Sequence, residues 1–131
     1  MRLLIMVFLL SFFLACRKED PVIDIDPLIG KYLTCDSIRT IVNGNETVTI
    51  KGRGTGSDVV FDSAKVYTIF STPQQNFFYG IKNPKIYYWK RGLSVHDGDY
   101  LKIKSKEGKK IVFEHKDIVT RRLDIYYHTA Q

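Results

Sequence analysis

The sequence predicts an all-β domain. It reads as an antiparallel up-and-down meander of about eight to ten strands that closes into a barrel, behind an N-terminal signal peptide. Turn signals recur at intervals of roughly ten residues from Leu28 onward, and the runs between them are rich in Val, Ile, Thr, Tyr and Phe, which fit a pleated surface. Apolar and polar residues alternate along those runs with a period of two, as in strands with one buried face. No stretch after Asp26 sustains a helical period, and only a short helical turn near residues 27–30 fits the pattern. A meander of this size leaves exposed edges unless it closes, and closure removes that aggregation hazard.

Arg2 supplies a positive charge ahead of an almost unbroken apolar run over residues 3–14, and the small Ala15 stands before Cys16. That run is short for a membrane-spanning helix and suits the apolar core of a secretory signal. Phe13-Leu14-Ala15-Cys16 resembles the lipobox of bacterial lipoproteins, with Phe13 where that family usually has Leu. The resemblance implies that the Cys16 thiol is acylated, that the chain is cut before it, and that acyl chains hold the protein to a membrane of the bacterial envelope. Residues 1–15 are then signal peptide. Residues 16–26 are the lipidated cysteine and a flexible tether, with two prolines flanked by charges among residues 17–27. Arg17-Lys18-Glu19-Asp20 resembles the short lysine-plus-acid signals that carry some Gram-negative lipoproteins to the outer face of the outer membrane, and it serves equally as a charged linker.

Residues 27–131 form the domain. Asn43-Gly44 separates residues 37–42 from 45–50, and Asp97-Gly98 separates residues 93–96 from 99–104. Both dipeptides supply the positive φ angles of a tight hairpin turn. Glu107-Gly108 parts the next pair of runs. Softer turns fall at residues 52–57, Asp62-Ser63, residues 72–76, Asn83-Pro84, Arg91-Gly92 and Lys116-Asp117. Leu101 and Ile103 share a face against Lys102 and Lys104. Ile111 and Phe113 oppose Lys110 and Glu114, with His115 on their side. Leu123, Ile125 and Tyr127 are expected on one face, against Arg122, Asp124 and Tyr126.

Residues 28–33, with Gly30 two positions before Tyr32, look like the first-strand signature of small lipocalin-like lipoproteins, in which a glycine precedes an aromatic, usually Trp. Residues 60–67 are similar to the strand-turn-strand that follows in that group, and residues 121–130 to its closing strand. The resemblance implies a calycin-type barrel and no catalytic residues.

The chain has 20 basic and 14 acidic residues. Without Arg2 the mature form carries 19 − 14 = +5. Residues 16–26 contribute −2, so residues 27–131 carry +7. Such a domain favours anionic partners such as lipid head groups or acidic glycans, although a solvated lysine-rich surface has the same composition. Export makes nucleic acid a poor partner, and none is expected. With Cys16 acylated, Cys35 has no partner in its own chain, so the domain is held by packing, with Cys35 as a small buried apolar group between Leu33 and Ser37 on one face of a strand.

No set of residues has the local pattern of a nucleophile and its base, and the chain is not expected to be an enzyme or to need a cofactor. His96, His115 and His128 stand on separate runs, and His96 before Asp97-Gly98 is accounted for by a hairpin. The glycine-rich residues 52–57 precede strand-like residues rather than the helix that a phosphate loop needs. What remains is aromatic density. Phe77, Phe78, Tyr79, Tyr87, Tyr88 and Trp89 crowd two short runs flanked by Lys82, Lys85, Lys90 and Arg91. Aromatics on both faces of a strand pair place one set in the barrel and the other outside or at its mouth. Tyr79, Tyr88, Trp89, Lys85 and Arg91 are the expected site for a small apolar or anionic ligand or a glycan. Ordinary cross-strand aromatic pairs with lysine stems laid over them explain the same residues. A packed barrel that binds only protein is the alternative.

Overall fold

The computed structural model describes residues 22–90, 92 and 99–131. The signal segment, Cys16, Arg91, His96 and the Asp97-Gly98 turn lie outside the described residues. A 3₁₀ turn, Asp26–Leu28, precedes nine strands: β1 Leu33–Val42, β2 Asn45–Ile50, β3 Asp58–Phe61, β4 Val66–Phe70, β5 Gln75–Lys82, β6 Lys85–Trp89, β7 Asp99–Glu107, β8 Lys110–Asp117 and β9 Arg122–Ala130. All pair antiparallel with their neighbours. β1 also pairs with β9 over its whole length, so eight strands close a barrel and β2 is an extra strand outside the ring.

The turn chemistry is visible in the backbone. Asn43 and Gly44 have φ of 50° and 81°, the paired positive angles of a type I′ turn, and they join β1 to β2. Gly108, at φ 59°, leads the two-residue turn between the paired Glu107 and Lys110.

β1 serves two neighbours on one edge. Its upper part, Ser37–Val42, pairs with β2, and its foot meets β3 only through Leu33↔Val59. That narrow seam is held by the fully buried Asp58. Asp58 Oδ1 accepts the Cys35 backbone N–H at 2.9 Å, and Oδ2 accepts the Tyr32 hydroxyl at 2.5 Å and the Gly54 N–H at 2.8 Å. Burial pushes the Asp58 carboxyl up, but these three donors outweigh it and hold the carboxyl below its ordinary range.

One half of the barrel is packed solid. Leu33, Phe61, Tyr79, Ile86, Ile103, Ile111 and Phe113 are buried there. The Phe61 ring stacks on Tyr67 at 4.5 Å and meets the edge of Tyr79 at 5.3 Å. The Tyr79 hydroxyl donates to the Asp62 carbonyl at 2.6 Å. The chain ahead of β1 closes this end. Ile25 and Leu28 join the core, the Gly30 N–H donates to the Phe61 carbonyl at 2.7 Å, and Asn83 clasps both backbone groups of Ile23. Packing therefore starts ahead of the expected boundary at Pro27. Ile23 and Ile25 alternate with aspartates and turn to one side, so this part of the charged segment still buries Ile25 and half-buries Ile23 against the core.

Two faces differ from the sequence expectation. In β9 the inward residues are Asp124, Tyr126, His128 and Ala130, while Leu123, Ile125 and Tyr127 face outward. Neighbours set the register here: Ile111 and Phe113 of β8 stand opposite His128 and Tyr126, and Cys35 of β1 opposite His128. In β1 a bulge between Cys35 and Ser37 shifts the pairing by one residue. Beyond it Ile38 and Thr40, not Ser37, point inward. Cys35 is free and fully buried, and burial pushes its thiol up to about 11.

Candidate functional site

The other half of the barrel is hollow. β3 and β4 end at the pair Asp58↔Phe70, level with the foot of β1, whereas β1 and β9 run on to Val42↔Arg122. The wall is thus low on one side and tall on the other. β2 continues the tall side but is exposed along its whole length. Inside lies a cavity of about 250 Å³. Tyr67 of β4, Tyr88 of β6, Tyr126 and His128 of β9, and Phe113 and His115 of β8 supply its aromatic wall, with Ile38, Ile69 and Leu101 between them.

Strand alternation puts these side chains together. Tyr88 stands opposite Asp99, Phe113 opposite Tyr126, and His115 opposite Asp124. The Tyr67 and Tyr88 rings meet edge to face at 5.4 Å, with Phe77 packed against both. His115 Nε2 lies 2.6 Å from Asp99 Oδ2. At the rim, Asp124 accepts the Thr40 hydroxyl at 2.6 Å and the Arg122 Nε–H at 2.9 Å.

The cavity is electrically quiet. Burial raises the hydroxyls of Tyr67 and Tyr88, reinforced at Tyr67 by neighbouring tyrosines and at Tyr88 by the Asp99 charge. Burial, with Asp124 beside it, pushes Tyr126 up to about 12. All three stay phenols at neutral pH. Burial lowers His128, only partly opposed by its Nε2 contact to the Ser57 carbonyl at 3.1 Å, so the ring is neutral. With Nε2–H donating there, Nδ1 keeps a lone pair and has no partner among the described residues. Among the described residues no lysine or arginine lines the cavity and no cluster suits a metal ion.

The residues expected as a site are divided by the barrel wall. Tyr88 faces the cavity, and Tyr79 faces inward in the packed half. Trp89 and Lys85 lie on the outer face, where Trp89 covers Gly80 and Lys85 Nζ sits 4.7 Å from the centre of the Tyr100 ring. The cavity's other members, Tyr67, Tyr126, His115 and His128, lie outside the aromatic-rich runs that point to a site in the sequence. The available signal was the inward pairing of an aromatic with a histidine two residues on, Phe113 with His115 and Tyr126 with His128, on adjacent strands. No protein-family model, no curated protein and no solved structure matches the chain.

Proposed function

We propose that this chain is a membrane-anchored lipoprotein of the bacterial envelope whose lipocalin-like barrel binds a small neutral molecule and performs no chemistry on it. The cavity carries the binding part of this reading. Where a hole of ~150 Å³ admits benzene, 250 Å³ holds about ten non-hydrogen atoms. A wall of Ile, Leu and Phe broken by phenol hydroxyls and imidazoles suits a compact apolar or aromatic body with one or two hydrogen-bonding atoms. A long-chain fatty acid exceeds that volume. An anionic group inside would find no lysine or arginine in the lining, with the Asp99 and Asp124 carboxylates close behind Tyr88 and Tyr126, so an anionic ligand or acidic glycan belongs outside the cavity. The anchor rests on the sequence around Cys16.

The test is a panel of phenol, indole, benzoate and glucose against the full chain in detergent, read by thermal unfolding and equilibrium binding. Phenol or indole raises the Tm with dose, benzoate at neutral pH does not, and Ile38→Phe, which fills the cavity, removes the effect. If no compound shifts the Tm of a folded protein, the packed-barrel interaction protein becomes the better account. For the anchor, Cys16→Ser abolishes labelling by a fatty-acid analogue. Undiminished label in that variant overturns it.

A further inference from the structure

We infer that the outer face of β5, β6 and β7 is a docking surface for the anionic head groups of a lipid bilayer, and that it lays the barrel on its side beside its anchor. This rests on the membrane-anchor reading above. The face is ordered in rows by the strand register. Phe78 pairs with Trp89 in the first row. Gly80, Tyr87 and Tyr100 stand side by side in the second, and Lys82, Lys85 and Lys102 in the third. Directly opposed like charges destabilise a sheet, and this row opposes them twice in succession. None of these three lysines forms an ion pair among the described residues: Glu114 of β8 stands directly opposite Lys102 but is taken by Lys104 at 3.2 Å. A surface of phosphates relieves that repulsion. The rows above it are aromatic: Phe78 is 39% exposed, its ring 6.3 Å from Trp89, and Tyr87 and Tyr100 pack at 5.6 Å. Tyrosine and tryptophan rings suit the head-group layer, where an apolar body and a polar tip are both accommodated, and lysines reach past them to phosphate.

The anchor exits at the same place. Asn83, in the turn between Lys82 and Lys85, accepts the Ile23 N–H at 3.1 Å and donates to its carbonyl at 2.5 Å. Cys16 precedes Val22 by six positions, so fully extended chain takes an acyl group no further than about 20 Å from there. A barrel held that closely puts one side against the membrane, and the lysine row is the side at the point of attachment. Each lysine at an anionic surface strengthens attachment severalfold, so three together are worth on the order of a hundredfold.

Trp89 is the only tryptophan in the chain and lies in the surface itself. The full lipidated chain is therefore reconstituted into vesicles of phosphatidylcholine alone or with a third phosphatidylglycerol, each carrying brominated acyl chains that quench on contact. Trp89 emission is expected to be quenched strongly only with phosphatidylglycerol, and K82E/K85E/K102E to lose that quenching while still floating with the vesicles. The pair K116E/R121E, at the opposite end of the barrel, keeps it. A protein that does not float fails the anchor reading. A protein that floats with Trp89 unquenched, or equally quenched in both vesicles, overturns the docking surface and leaves the anchor standing.

Discussion

The two halves of this barrel are built from the same strands and filled in opposite ways. At the end of the 3₁₀ turn, Phe61, Tyr79, Ile86, Ile103 and Ile111 interlock, and Ile25 and Leu28 cap them. At the other end the same strands present Tyr67, Tyr88, Tyr126, His115 and His128 around an empty volume. The packed half places its polar atoms on the barrel's own backbone, as the Tyr79 hydroxyl does on Asp62. The hollow half keeps phenol and imidazole groups around the space. A barrel of eight strands is wide enough either to be filled by its own side chains or to hold one small molecule. Here one chain is filled at one end and left open at the other, and the open end is where the proposed recognition falls.

The sharpest break of this division comes from the packed half. Phe61→Ala removes a ring that touches Tyr67, Tyr79 and Phe113. It is expected to cost about 3–5 kcal/mol, read as a shift in denaturant midpoint. Cutting at the seam comes next. Asp58→Ala strands the Cys35 and Gly54 N–H groups and the Tyr32 hydroxyl, for a loss of about 2–3 kcal/mol. A loss below half a kcal/mol would show that β1 and β3 hold together without it.

The hollow half answers to pH. His128 is held below its ordinary value of 6.5 in the folded state. The unfolded chain therefore takes up this proton first. Stability is full above pH 6.5 and falls as the pH drops from there through the lower folded value. Asp58, also depressed from 3.8, adds a second loss in the same direction, but only below pH 3.8. His128→Gln should flatten the upper step and spare the lower one in urea titrations across pH. The smallest effect on stability belongs to Tyr126→Phe, within about 1 kcal/mol, because a cavity hydroxyl leaves little unpaired. The same variant weakens phenol or indole binding by about tenfold if its hydroxyl holds the ligand. Equal losses of stability from Phe61→Ala and Tyr126→Phe would abolish the distinction between the halves.

Strand positions and hairpins were legible because Asn43-Gly44 and Gly108 are local signals, and because Leu101, Ile103, Ile111 and Phe113 alternate cleanly. The inward face of β9 was not. Leu123, Ile125 and Tyr127 are the more apolar set, and only the neighbours across the ladder reveal that Tyr126 and His128 point inside. The β1 bulge escaped for the same reason, since one unpaired residue at Asp36 leaves no mark in composition. The candidate cavity was half legible. Aromatic density led to Tyr88, but alternation alone does not say which strands stop short, and the short β3 and β4 leave the barrel unfilled. Trp89 and Lys85, next to Tyr88 in sequence, fall on the far side of the wall.

The seam between the first and last strands has a consequence for how the molecule is made. Nine residues of β1 find their partners in β9, at the other end of the chain. Closing a loop that long is entropically late, and contacts between distant segments slow folding. Until β9 is in place, one edge of β1 stays bare and the cylinder remains an open sheet. The closed barrel is therefore withheld from any chain that lacks β9, and such a chain is left with a free edge ready to pair with another copy.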